Sequence, residues 1–166
     1  MLYLDYNFWG EMMDAIDLAI LKELQENGRE SLSEIGSKIN LSVSAVGERI
    51  KKLERSGVIN QYTTIISGKH FNKELTALMF ISLESPKFID NFLKFVNGEN
   101  DILECHYIAG NYDYMIKIVT NNPESLEKIL NKVKSVPGII KTYTNVVLKT
   151  TKNNYSICPS ELPSGK

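Results

Sequence analysis

The stretch from residue 41 to residue 59, LSVSAVGERIKKLERSGVI, decides the first half of the fold. Its apolar residues recur at i, i+4 and i+7, which is the spacing of one buried side of an α-helix. Those residues are Val46, Ile50 and Leu53. Ser42 can cap the start of this helix, and Gly57 supplies a left-handed residue at its end. The stretch therefore predicts one bounded helix of about four turns.

Two further helices are predicted before it. The segment from Asp14 to Leu24, DAIDLAILKEL, has a broad apolar stripe. In SLSEIGSKI, Ser31 and Glu34 have the S-x-x-E spacing of a capping box, which starts a short second helix. The three-residue turn of Asn40, Leu41 and Ser42 then leads into the helix predicted first. This arrangement is typical of a helix-turn-helix, whose second helix lies in the major groove of DNA.

The charge pattern bears on DNA binding. The net charge is −1, which does not favour contact with phosphates, but the segment from Arg49 to Arg55 carries four cations against Glu54 alone. Small or polar residues at the start of the helix allow close approach to base edges, and the basic residues that follow can meet phosphates. The predicted DNA-binding residues are Ser42, Ser44, Ala45, Gly47, Glu48, Arg49, Lys51, Lys52 and Arg55. A three-helix module for protein interaction is the alternative.

The rest of the chain alternates strands and helices in the order βαββαβ. The strands read TALMFISLE, ILECHYIA, YDYMIKIVT and IIKTYTNVVLKT, and helices begin at Pro86 and at Asn122-Pro123. This order predicts a ferredoxin-like α+β domain whose sheet has one face without helices. That face carries apolar residues, so two copies are expected to pack sheet against sheet.

Composition limits the remaining possibilities. The chain of 166 residues is 43% hydrophobic and 23% charged, as in ordinary folded proteins. Its apolar runs are far shorter than the ~20 residues of a membrane helix, and no signal peptide is evident, so we expect a cytoplasmic protein. Cys105 and Cys158 form no CxxC pair and are expected to be thiols. His70 and His106 lack metal-ligand spacing, so neither a metal nor a cofactor is expected.

These patterns predict five segments. They are an N-terminal extension at 1–12, a winged-helix-like three-helix helix-turn-helix domain at 13–60, a linker strand at 61–74, a ferredoxin-like domain at 75–152 and a flexible tail at 153–166.

Four motifs together resemble one family. In chain order they are DAIDLAILKELQENGR, ERIKKLERSGVI, AGNYDYMIKI and VPGIIKTYTNVVL. They resemble the leucine-responsive and asparagine regulator (Lrp/AsnC) family of transcription regulators over about residues 13–150. The resemblance implies that the N-terminal domain binds double-stranded DNA. It also implies a homodimer that assembles further, often to an octamer, and an amino-acid effector bound between dimers.

The candidate effector site is the loop between two strands. Gly110, Asn111, Tyr112 and Asp113 expose backbone groups, and the Asp113 carboxylate can pair with an α-ammonium. Two hydroxyls on a nearby strand complete the set, those of Thr142 and Thr144. The alternative is that Gly110 and Asn111 only form a hairpin turn. Asn111 stands where the family more often has Asp, so the effector is not expected to be a basic amino acid.

Two other functions remain possible from the sequence. Sirohaem decarboxylases resemble this family in build, but they use His and Arg in the C-terminal domain, and the corresponding hairpin here has no Arg. The third possibility is a ligand-sensing interaction protein whose helix-turn-helix no longer binds DNA.

Overall fold

The computed structural model describes residues 13–159, so the predicted extension at 1–12 and the end of the predicted tail lie outside the described residues. The described chain forms two compact units. Residues 13–64 and 154–159 belong to the first unit, and residues 65–153 to the second. Across residues 13–159, no helix is long and apolar enough to span a membrane.

The first unit contains three helices, as predicted. They are α1 (Ala15–Glu26), α2 (Leu32–Ile39) and α3 (Val43–Arg55). Each has a side-chain N-cap that accepts a backbone N–H: Asp14 for α1, Ser31 for α2 and Ser42 for α3. The core consists of residues from all three helices: Ile20, Ile35, Val46, Ile50 and Leu53. The predicted capping box of Ser31 and Glu34 is confirmed.

A close backbone approach shapes the turn between α2 and α3. Asn40 adopts the left-handed conformation with φ of 57°, and the Leu41 N–H donates to the Gly36 carbonyl at 2.9 Å. A Cβ atom at residue 36 would lie 2.6 Å from the Leu41 carbonyl oxygen. Gly36 therefore fits this turn because it has no side chain. Gly57, with φ of 74°, follows α3 as predicted.

The second unit is a four-stranded antiparallel sheet with two α-helices. In chain order the elements are β1 (Leu75–Leu83), α4 (Ile89–Gly98), β2 (Ile102–Tyr107), β3 (Tyr114–Thr120), α5 (Pro123–Lys134) and β4 (Ile139–Val147). The strand order across the sheet is β2-β3-β1-β4. The predicted βαββαβ fold is confirmed. Pro86 begins a short 3₁₀ turn rather than the α-helix itself, which starts at Ile89.

Helices cover one face of the sheet and leave the other face open. Ala77, Met79 and Ile81 of β1 are completely buried and pack with Phe92 of α4 and Val133 of α5. Side chains alternate along a strand, so the intervening residues of β1 point to the other face. Within this chain, the core of the unit lies between the helices and one side of the sheet.

The strand predicted within 61–74 is wrong for the single chain. Residues 61–67 carry no regular secondary structure, and only a 3₁₀ turn at Gly68–Phe71 follows. A strand needs a neighbour for its N–H and C=O groups, and the described sheet consists of β1 to β4 alone. The β-branched residues of this segment remain solvent-exposed, with Ile65 and Ile66 more than half accessible.

Candidate nucleic-acid interface and effector loop

The outward side of α3 carries one continuous polar row. Its members are exposed and spaced one turn apart: Ser44, Glu48, Lys51 and Arg55. Val46 and the other apolar residues of α3 fill the opposite, buried side. Ala45, Gly47 and Lys52 are half-buried at the flanks of the row, and Ser42 caps the helix through its hydroxyl. Eight of the nine predicted DNA contacts thus lie at the start or along the accessible side of one helix.

Arg49 is the exception among the predicted DNA contacts. Its Nη1 atom lies 2.7 Å from the Asp17 carboxylate and 2.8 Å from that of Asp14. Asp17 is fully buried, so the guanidinium supplies a partner to a carboxylate that water does not reach. Arg49 therefore ties α3 to the start of α1. The structure gives Arg49 this role within the domain, and its contact with DNA stays a prediction.

Charges within the polar row are paired along the helix. Lys51 Nζ lies 3.1 Å from Glu48 Oε1, and both side chains are about two-thirds exposed. Arg55 Nε donates to the Lys51 carbonyl at 3.2 Å. Exposed pairs of this kind contribute little to stability, so these cations can change partner at small cost.

Tyr62, in the segment after α3, is hydrogen-bonded to that helix. The Tyr62 hydroxyl donates to Glu54 Oε1 at 3.0 Å. Burial, and then this hydrogen bond, raise the pKa of Tyr62 to about 12. The start of the 61–67 segment is therefore fixed to the C-terminal turn of α3.

The loop at 108–113 is anchored through Asp113. The Leu83 N–H donates to Asp113 Oδ2 at 2.7 Å, and the Asp113 N–H donates to the Ile81 carbonyl at 2.9 Å. The Asp113 carbonyl accepts from the Ile108 N–H at 2.9 Å. Asp113 thus latches the loop to β1. An ionised carboxylate has about four acceptor positions, so this latch leaves capacity for a ligand cation.

Tyr112 belongs to an aromatic cluster on the sheet face without helices. Its ring centroid lies 5.8 Å from that of Phe80 and 6.4 Å from that of Tyr143. Lys141 Nζ lies 4.9 Å from the Tyr112 centroid. Phe80, Lys141 and Tyr143 were not among the residues predicted for the effector site. Only the alternation of β4, once its register against β1 is known, assigns them to this face.

Thr142 and Thr144 lie on the other face. They pair with Ile81 and Met79, whose side chains are fully buried under the helices. Neighbouring residues of a strand point to opposite faces. The predicted grouping of both threonines with Tyr112 is therefore wrong within one chain.

The cysteine and the histidine of β2 lie on opposite faces of the sheet. Cys105 pairs with the buried Ile116, and His106 pairs with Met115 of the opposite face. Burial raises the pKa of the Cys105 thiol. Among residues 13–159, no group of His, Cys, Asp and Glu is arranged to hold a metal ion.

These observations define a class of protein. A three-helix domain with an accessible polar recognition helix, followed by a βαββαβ domain with an anchored loop, is the architecture of a DNA-binding regulator with a separate ligand domain. Comparison with known families agrees. Residues 13–54 match the AsnC-type helix-turn-helix domain, and residues 76–157 match the Lrp/AsnC ligand binding domain.

Relatives match over nearly the whole chain. The HTH-type transcriptional regulator FL11 of Pyrococcus abyssi is 36% identical over 91% of this chain and 96% of its own. The transcriptional regulator AzlB of Bacillus subtilis is 36% identical over 92% of this chain and 99% of its own. A Neisseria meningitidis transcriptional regulator, solved as its L-Met complex, is 28% identical with a TM-score of 0.83, covering 87% of this chain and 96% of its own.

The chain belongs to the Lrp/AsnC family of transcriptional regulators. It is a DNA-binding regulator with a ligand-binding domain. The family is one of regulators and not of enzymes, so the decarboxylase alternative is set aside.

Proposed function

We propose that α3 enters the major groove of an operator and that its accessible row reads the DNA. The observation that carries this proposal is the placement of Ser44, Glu48, Lys51 and Arg55 directly opposite the buried side of α3. Bases are met by the N-terminal half of the helix and phosphates by its cations. Lys52 and the capped start of the helix, at Ser42, flank this contact surface.

The proposed effector is an α-amino acid bound at the 110–113 loop. A zwitterion needs an acceptor for its ammonium and a donor for its carboxylate. Asp113 is the acceptor in this proposal, and Lys141, above the Tyr112 ring, is the donor. Asp113 bonds to the Leu83 N–H, and Lys141 pairs with the adjacent Ser82, so both neighbour one end of β1. The L-Met complex of the Neisseria relative supports this ligand class.

The proposed assembly is a homodimer that packs the helix-free sheet faces together and associates further, to an octamer. Phe80 and Tyr143 lie on that face with their ring centroids 6.3 Å apart, and Tyr143 is 53% exposed. Aromatic surface of this kind favours an interface. A two-fold dimer also presents two copies of α3, as two operator half-sites require.

Regulation follows from linkage in this proposal. An effector that binds one assembly more tightly than another shifts the balance between them, and DNA affinity changes by the same coupling free energy. Since operators lie in the cytoplasm of bacteria and archaea, the proposed site of action is the cytoplasm.

The test is footprinting on the protein's own promoter, with and without a panel of amino acids. We expect protected half-sites about one helical turn apart, and an affinity or spacing that one class of amino acid changes. Binding that stays equally weak on every DNA, at every salt concentration, would show a ligand-sensing protein without an operator.

A further inference from the structure

Glu48 lies on the outward row of α3, with Ser44, Lys51 and Arg55. An α-helix turns by roughly 100° per residue, so the three buried residues of α3 point in one direction and Glu48 points almost opposite to it. Its side chain is 69% exposed. A carboxylate therefore stands within the face that the proposed function turns toward DNA.

A carboxylate at this position is unsuited to phosphate contact. When ionised it only accepts hydrogen bonds, and phosphates carry negative charge. Major-groove edges that offer donors are the amino groups of cytosine and adenine. Adenine places its N7 acceptor beside the amino group, which suits an amide side chain, whereas cytosine N4 suits a carboxylate.

The neighbours of Glu48 allow it to come close to a base. Ser44, one turn earlier, is small and exposed. Lys51, on the following turn, lies 3.1 Å from the Glu48 carboxylate and offsets part of its repulsion from the DNA backbone. The pair can therefore approach the duplex with little net charge, while the carboxylate keeps acceptor positions for a base.

We infer that Glu48 is a specificity-determining residue that selects cytosine at one position of each operator half-site. The cytosine N4 amino group donates a hydrogen bond to a Glu48 carboxylate oxygen. This inference rests on the proposed docking of α3 in the major groove and adds the identity of one base. In a two-fold dimer the cytosine occurs once in each half-site.

The experiment is selection from a random duplex pool with the full chain. Four proteins are compared: wild type, Glu48→Gln, Glu48→Arg and the control Glu54→Gln. Amide side chains pair with adenine, and guanidinium groups pair with guanine. We therefore expect one motif position to change from C to A in Glu48→Gln and from C to G in Glu48→Arg. Glu54 is an exposed acid of α3 that bonds Tyr62, away from the outward row, and its variant should keep the wild-type motif.

Affinity measurements complete the test. Replacing the selected cytosine should weaken wild-type binding at least about fivefold, and the Glu48→Gln protein should prefer the adenine site by a similar factor. A motif identical in all four proteins would overturn the inference and leave the docking of α3 intact. The inference is also overturned, with the docking of α3 intact, if Glu48→Gln weakens binding to all sites equally. Glu48 would then only orient Lys51. If no protein enriches any motif, both proposals fail.

Discussion

The guanidinium of Arg49 lies 2.7 Å from the carboxylate of Asp17, and this contact joins α3 to α1. The Asp17 side chain is only 1% exposed. A carboxylate so buried is costly unless a cation stays beside it. The basic segment of α3 thus contains one cation that pairs with a buried carboxylate, Arg49, and three that lie on or beside the outward row, Lys51, Lys52 and Arg55.

Arg49→Ala should destabilise the helix-turn-helix unit by about 2 kcal/mol or more, because it leaves the Asp17 carboxylate buried without its cation. Lys51→Ala is the matched control, since it removes an exposed cation from the same helix and should change stability by less than about 0.5 kcal/mol. Urea unfolding, followed by helix signal, measures both. Equal stability of the two variants, with DNA binding lost only in Arg49→Ala, would return Arg49 to the DNA contacts.

The N-cap of α1 should make this unit sensitive to acid. The Asp17 backbone N–H holds the pKa of Asp14 below its usual range; burial opposes this effect, and Arg49 and the Ile16 N–H reinforce it. A lowered pKa means that the stabilisation is present above the unfolded-state pKa, about 4, and is lost as pH falls through the folded value. Melting temperatures between pH 6 and 2 should show this loss, and Asp14→Asn should lack that part of it.

The outward cations should control the salt dependence of DNA binding. Lys51→Ala or Arg55→Ala should weaken binding to all sequences and reduce the slope of log K against log salt by about one each. Lys128→Ala is the control, because Lys128 pairs with Glu124 on α5 of the other unit. Filter binding at several salt concentrations gives the slopes. Unchanged slopes for both α3 variants would contradict the docking of α3.

Two variants of Asp113 separate its structural bond from its charge. Asp113→Asn keeps an oxygen for the Leu83 N–H but loses the charge, so effector affinity should fall about ten- to hundredfold while the fold is kept. Asp113→Ala also leaves the Leu83 N–H without its partner and should destabilise the domain by about 1–3 kcal/mol. Calorimetry with the effector found by footprinting, and thermal unfolding, measure the two effects. A wild-type response in Asp113→Asn would place the effector elsewhere.

Tyr143→Lys should weaken the proposed sheet-to-sheet dimer, because it introduces a charge into the aromatic cluster with Phe80 and Tyr112. Tyr107→Lys is the control, since Tyr107 is 76% exposed and pairs with Tyr114 on the opposite face. Sedimentation at micromolar concentration should find the wild type and the control assembled and Tyr143→Lys more dissociated. A monomeric wild type would exclude this assembly.

Local signals made much of the fold predictable. Ser31 and Glu34 lie three residues apart, so their capping box can be read directly from the sequence, and Asn122 followed by Pro123 marks the start of α5 in the same way. The order of strands and helices then leaves few topologies. These features depend on residues that are close in the chain.

Features that depend on distant residues were not predictable. The role of Arg49 depends on Asp17, thirty-two residues earlier, and no periodicity reports that distance. The faces of Thr142 and Tyr143 follow from the register of β4 against β1, where a shift of one residue exchanges the two sides. The expected linker strand at 61–74 begins with a β-branched stretch suited to a strand, but composition supplies no pairing partner.

Gly36 and Gly57, which lie before and after α3, are each needed for a different physical reason. At residue 36, every other amino acid would place a Cβ atom 2.6 Å from the Leu41 carbonyl oxygen, so the lack of space excludes any side chain there. At residue 57 the surrounding space is open and only the positive φ restricts the choice, so asparagine, which tolerates the left-handed conformation, can replace glycine there. A substitution at residue 57 therefore leaves the turn between α2 and α3 unchanged, whereas any side chain at residue 36 would alter it.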